Sequence, residues 1–199
     1  MQDNSFRKRH EQQIPAYRDT CWQENSEDLF CRLWDVKDGM EILLEQLTHD
    51  NYMDALSINR DDIPEEWVDN ASYLMGVTDY GAEHHLMGHT FLCRVNEKPV
   101  GLIMIGEALA WDTDPVEMRG KPFYRIMGFV IDKAYRDKGI GGEILEKAIA
   151  KVYEEFGRRS IALGVHKDNI RVGSFYERHG FRRTGVYEGN DEYYLRLID

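Results

Sequence analysis

Three features of the sequence predict an α/β fold, with a central, mostly antiparallel mixed sheet and helices on both faces. Two β-rich runs, TFLCRV and VGLIMI, flank a short turn; the almost wholly apolar YRIMGFVID is followed by the amphipathic GGEILEKAIAKVYEEF; and a second strand and helix, SIALGVH and NIRVGSFYERH, precede two closing strands. Alternating or continuous apolar character marks the strands, and apolar residues recurring at three and four positions mark the helices.

Taken in order, residues 1–27 are polar, with Gln, Asn, Arg and Glu mixed and little periodicity, and read as an extension ahead of one domain spanning 28–199. LFCRLWDV, from Leu29 to Val36, alternates as a first strand, and Asp38 then caps a helix carrying Ile42, Leu43 and Leu47. A second helical stretch covers Glu65 to Met75. Between Thr90 and Ile105 the two β-rich runs form a hairpin around Asn96-Glu97-Lys98-Pro99. The strand YRIMGFVID is central, because a strand buried on both faces is apolar throughout. In the helix after it, Ile144, Leu145, Ala148, Ile149, Val152 and Phe156 share a face, and Gly157 stops it. SIALGVH, a short helix from Asn169 to His179 closed by Gly180, and the pair FRRTGVY and EYYLRLI around Gly189-Asn190 complete the chain.

A length of 199 residues suits one core, since a domain takes roughly 150. No uncharged apolar run reaches the roughly eighteen residues of a membrane span, and the opening MQDNSFRKRHEQQ lacks the apolar core of a secretory signal, so a cytoplasmic location is expected. Cys21, Cys31 and Cys93 show no C-x-x-C spacing and suit reduced thiols. A net charge of −11 opposes binding to nucleic acid and to anionic membranes, and tolerates a cationic partner. Glu83, His84, His85 and His89 invite a metal reading, but Gly81 and Gly88 interrupt the segment, and no metal is expected.

Arg136-Asp137-Lys138-Gly139-Ile140-Gly141-Gly142 lies between the central strand and the amphipathic helix. Glycines there let the backbone approach a ligand, and the helix's first turn presents unpaired N–H groups to an anion such as a pyrophosphate. Lys133, Arg136 and Lys138 supply countercharge in an otherwise acidic chain. A Walker loop is absent, because Gly-Ile-Gly-Gly is followed by Glu143; a dinucleotide fingerprint fails at position 144, which is Ile.

The pattern Arg-x-x-Gly-x-Gly after a strand resembles motif A of the GNAT N-acetyltransferase superfamily, and DNIRVGSFYERHGF resembles its motif B. The resemblance spans about Leu29 to Asp199, its specific motifs lying between Phe129 and Phe181. It implies acetyl-CoA as cofactor, with backbone amides of 136–142 on the pyrophosphate, Asn169 beside the pantetheine, and free backbone groups of Phe129, Val130 and Ile131 toward pantetheine and acetyl oxygen. It also implies Tyr176 as the acid that protonates the departing thiolate; Asn169 and Tyr176, seven residues apart, share a helix face. Gly128, inside the strand, marks either a bulge or a packing accommodation. The base stays open between Glu107, Glu117 and a water relay.

DDIPEEWVDN, from Asp61 to Asn70, resembles the acceptor side of bacterial spermidine/spermine acetyltransferases. Glu65, Glu66 and Glu107 would attract ammonium groups, and Trp67 would face a cation or cover a methylene chain. One departure is Gly128, standing where those enzymes carry an arginine, with Arg125 three places earlier. The implied activity is acetyl transfer to a primary amine of a small cationic molecule, a polyamine among the candidates. Rival acceptors are an antibiotic, an amino acid, and a protein N-terminus or lysine; the rival class is a non-catalytic acyl-CoA sensor. The implied partner is a small-molecule amine, and a homodimer is permitted by the family.

Overall fold

The computed structural model describes residues 41–198. The expected extension at 1–27 and the strand at Leu29–Val36 lie outside the described residues. Among the described residues, seven strands form one sheet in the order β1-β2-β3-β4-β5-β7-β6. They are β1 (Ile42–Gln46), β2 (Gly88–Val95), β3 (Lys98–Glu107), β4 (Tyr124–Ile131), β5 (Ile161–His166), β6 (Arg182–Glu188) and β7 (Asp191–Arg196). Every neighbouring pair is antiparallel except β4 with β5. Four helices accompany them: α1 (Tyr52–Leu56), α2 (Ala71–Glu83), α3 (Ile140–Phe156) and α4 (Ile170–Arg178).

Side-chain alternation sorts these elements into two packed layers. Phe91, Cys93 and Val95 of β2 and Ile103 and Ile105 of β3 face α3, meeting Ile144, Leu145, Ala148, Ile149 and Val152. Leu92 and Leu102 point the other way, onto Leu74 and Met75 of α2 and Ala55 of α1. Helices therefore cover both faces, as the sequence pattern predicts. Gly157 ends α3 at φ 86, and no described helix is long and apolar enough to cross a membrane.

Two elements differ from the sequence reading. Ile42, Leu43 and Leu47 belong to no helix: Ile42–Gln46 pairs along its length with β2, from Ile42 opposite Val95 to Gln46 opposite Phe91. The run ILLEQL fits both periods, and the ladder with β2, which buries Ile42 and Leu44, decides for the strand. The expected helix at Glu65–Met75 is split into a single 3₁₀ turn, Glu65–Trp67, and α2. The guanidinium of Arg60 donates to the carbonyls of Val68 and Asp69 at 2.8 Å each, which holds this stretch out of a helical ladder. Asn70 then restarts the helix by accepting the N–H of Tyr73 at 2.9 Å. Gly81 lies inside α2 and does not interrupt it.

Candidate active site

β4 and β5 are joined by two register pairs, Tyr124 with Ile161 and Arg125 with Ala162. Beyond Arg125 the strands part, and the remaining backbone of β4 loses its neighbour on that side. A bulge sharpens the divergence. Leu102 lies opposite Val130 and Met104 opposite Met127, so Ile103 alone faces both Gly128 and Phe129. Gly128 sits at φ 59, and a Cβ there would come within 2.3 Å of Leu74 Cδ1. The bulge and the packing accommodation are thus one feature: the bulged glycine receives the Leu74 side chain of α2.

The parted strands open a cleft of about 2120 Å³, well above the 300–1,000 Å³ typical of small-ligand pockets. Phe129, Val130 and Ile131 line it, with the whole loop from Arg136 to Gly142 and Asn169 and Tyr176 of the following segment. The loop reaches α3 through two left-handed residues, Asp137 at φ 63 and Gly139 at φ 79. Gly139 has no capping side chain, leaving the first-turn N–H groups of Ile140, Gly141 and Gly142 directed to whatever lies ahead of the helix. Gly142 is constrained from behind, since a Cβ would meet the His179 ring at 2.7 Å. At Gly141 a Cβ would make ordinary contacts with Ile131 and Phe175 at 3.6–4.0 Å.

Arg136 anchors the loop. Its Nε donates to the Ile131 carbonyl at 2.8 Å and its Nη1 pairs with Asp62 at 2.7 Å, which holds Asp62 below the usual carboxylate range. Its Nη2 is buried without a hydrogen-bond partner among the described residues. A buried cationic donor left unsatisfied beside a bare helix N-terminus fits the diphosphate of coenzyme A. Arg171 pairs with Asp137 on the same loop, and Lys138 donates to the Ala134 carbonyl at 2.7 Å.

Asn169 caps α4, its Oδ1 accepting from Val172 N at 3.4 Å while its own N–H donates to the His166 carbonyl at 2.8 Å. Two turns on, Tyr176 is 5% exposed and lies edge-on between Phe175 and Phe181, at 5.2 and 5.4 Å between ring centres. Desolvation raises its phenol above the ordinary value near 10. The phenol is therefore a weaker acid than an exposed tyrosine.

A different group of residues lines the cleft around the end of β5. Glu65, Glu66 and Trp67 are among them, and Trp67 stacks on His166 at 5.7 Å. Asp69, from the same acidic stretch, lines it too, and Glu188 and Asp191 add carboxylates the sequence reading did not name for this role. Only the turn between β6 and β7 brings the last two here. Arg125, 6% exposed, pairs with the buried Asp114 at 2.5 Å under the Trp111 ring at 3.2 Å; desolvation lowers the arginine and raises the aspartate, each opposed by the other's charge.

Glu107 does not line the cleft. Arg159 binds one of its oxygens at 2.9 Å and the Met87 N–H approaches the other at 3.4 Å, where β3 ends away from the parted strands. Glu117 is likewise engaged elsewhere, by Arg182 at 3.4 Å. Of the histidines considered for a metal, His89 is buried against Glu155 at 2.7 Å and His84 packs on Tyr80 at 4.1 Å.

Comparison with known proteins places this architecture. The model of the acetyltransferase (GNAT) family matches residues 52–181. An uncharacterized N-acetyltransferase of Methanocaldococcus jannaschii is 31% identical over 109 residues, 54% of this chain and 43% of that protein. The spermine/spermidine N(1)-acetyltransferase of Bacillus subtilis is 28% identical over 102 residues, 48% of this chain and 66% of the relative. The chain thus covers less than two thirds of the length of either relative. Among solved structures, an aminoglycoside acetyltransferase, AAC(6')-Ib, in complex with ribostamycin and coenzyme A superposes with a TM-score of 0.62 at 18% identity, covering 78% of this chain and 93% of that one. A GNAT-family acetyltransferase from Streptococcus pneumoniae gives 0.55 at 21% identity, covering 80% and 100%. These two are likenesses of fold. With the family model spanning both glycine-rich loop and tyrosine helix, the chain belongs to the GNAT acetyltransferase family.

Proposed function

We propose that the chain transfers the acetyl group of acetyl-CoA to a primary amine of a small cationic acceptor, a polyamine being the favoured class. The observation that carries this reading is Tyr176: a buried, proton-bearing phenol on the wall of the same cleft that holds the bare N-terminus of α3. When bound, acetyl-CoA supplies an activated acyl group. The residues of this chain do the rest. The N–H groups of 140–142 and the free Nη2 of Arg136 would hold the diphosphate, and Asn169 stiffens the start of α4. Tyr176 gives its proton to the departing sulfur. The same desolvation that raises the phenol also raises the proton affinity of a thiolate beside it, so burial does not by itself widen the gap between them.

The cationic class is supported by charge placement. Arg136, Lys138, Arg171 and Arg178 line the cleft along the loop and α4, where Asp62 and Asp137 pair with two of them and Glu143 lies alongside, whereas the carboxylates Glu65, Glu66, Asp69, Glu188 and Asp191 line it around the end of β5. An anionic cofactor and a cationic acceptor are each met by their opposite sign. The polyamine is favoured because the carboxylates are several and come from two distant segments, matching repeated ammonium groups, and because Trp67 stands among them. Similarity to the Bacillus subtilis spermine/spermidine enzyme agrees with this choice.

Tyr176→Phe tests the reading. The variant should bind acetyl-CoA as the native chain does, by calorimetry, and release thiol about 100-fold or more slowly with spermine as acceptor. Unchanged turnover would remove Tyr176 from the chemistry. A native chain that binds coenzyme A yet releases no thiol with spermine, kanamycin, an amino acid or a lysine peptide would make it a sensor.

A further inference from the structure

We infer that Asp191 is the group that takes the proton from the incoming ammonium, presented to the cleft by the missing side chain of Gly164 and flanked by His166. The assignment rests on the transferase reading above and names the base that reading lacks.

Asp191 opens β7 directly opposite His166 in the β5–β7 ladder. Its side chain leans back along that ladder over Gly164, where a Cβ would stand 3.3 Å from Asp191 Cβ and 3.8 Å from Oδ2. Gly164 is the exposed position of an otherwise buried strand, and it lines the cleft with His166 and Asp191. The absent side chain thus makes room for the carboxylate on the surface that β5 turns toward the gap. His166 is fixed on two sides: its ring stacks on Trp67, and its Nδ1 accepts the Asp168 N–H at 3.3 Å, which places the neutral ring's proton on Nε2.

Glu65 and Glu66 sit on a separate segment, on the 3₁₀ turn before α2, and several other carboxylates are already engaged. Glu188 accepts from the Tyr193 hydroxyl at 2.7 Å, Asp62 is held by Arg136, and Glu107 and Glu117 pair with arginines away from the cleft. The Asp191 carboxylate has no hydrogen bond or ion pair among the described residues. Desolvation lifts it to about 6, opposed by His166 of β5 and reinforced by Asp69, from the segment before α2, and by Glu188 of β6. Such a group is ionised at neutral pH, so it attracts an ammonium, and it accepts a proton more readily than an ordinary carboxylate near 4.

The proton balance closes with Tyr176. Asp191 takes one proton from the ammonium, and the freed nitrogen lone pair forms the C–N bond as the C–S bond breaks. Tyr176 donates its proton to the leaving sulfur and regains one from the acylated nitrogen. The proton on Asp191 returns to solvent, so the sum is amide, free thiol and one proton.

Two measurements on the full chain test this. Thiol release is followed with whichever of spermine, ribostamycin and glycinamide the native chain acetylates. The acid limb of kcat/KM should inflect near 6; Asp191→Asn should lower kcat by about 100-fold or more without that inflection, and Asp191→Glu should restore part of the rate. Gly164→Ala, which displaces the carboxylate, should lower kcat while acetyl-CoA affinity stays native. An Asp191→Asn variant with native kcat and pH profile overturns the assignment. Independently, carboxyl ¹³C titration should show Asp191 titrating near 6, and a value in the ordinary range near 4 overturns it. If no amine releases thiol, the transferase reading fails by itself, and the titration alone then decides whether Asp191 is the poised acceptor.

Discussion

At Gly142 a single hydrogen separates a working loop from a blocked one, because the His179 ring fills the space a methyl group would need. Gly142→Val should therefore displace His179 or the first turn of α3 and weaken acetyl-CoA binding about tenfold or more by calorimetry. Gly141→Ala, whose Cβ has ordinary neighbours, should bind within about threefold of native. The two glycines look alike in the sequence. What distinguishes them is His179 at the end of α4, 37 residues on, and no local signal announces it. Asp191 makes the same point in thermodynamic terms. Its folded value of about 6 lies above the unfolded value near 4, so ionising it opposes folding: the penalty is absent below the unfolded value and complete above about 6. Asp191→Asn should accordingly raise the unfolding free energy at pH 7.5, by about 1–2 kcal/mol after allowing for partial solvent screening, and the gain should vanish below pH 4. Urea denaturation at the two pH values measures it.

At the scale of elements, Gly128 links the bulge of β4 to α2. Gly128→Ala demands a left-handed alanine and overlaps the Leu74 side chain, so a loss of about 2–4 kcal/mol in urea denaturation is expected. Adding Leu74→Ala should recover little, since it removes the clash but leaves the strain and opens a cavity. β3, β4, α3, β5 and α4 were legible from pattern alone, because each carries an unambiguous period or a glycine stop. β1 was not: ILLEQL is too short to separate two periods, and its partner strand lies more than forty residues away. The segment from Glu65 to Met75 misled for a different reason. Its composition favours helix throughout, while the break is imposed by Arg60, whose two hydrogen bonds to carbonyls leave no trace in local propensity.

On the scale of the whole molecule, a net charge of −11 described a tolerance for cations without locating it. The fold supplies the location, by bringing Glu65, Glu66, Asp69, Glu188 and Asp191 to one cleft from two separated segments. The half of the cleft proposed for the cofactor was readable because its residues are contiguous and their glycine spacing has a physical meaning. The half proposed for the acceptor was readable only where it too is contiguous, at Glu65 to Asp69; Glu107 instead pairs with Arg159. Those two halves meet where the sheet is least continuous. With two register pairs between Tyr124–Arg125 and Ile161–Ala162, the strands before and after this seam are stitched mainly at one end. A molecule bound along the open length touches both banks at once and acts as a clasp, so occupancy must feed into resistance to unfolding as RT ln(1 + [L]/Kd), about 2.7 kcal/mol at a hundredfold excess over Kd.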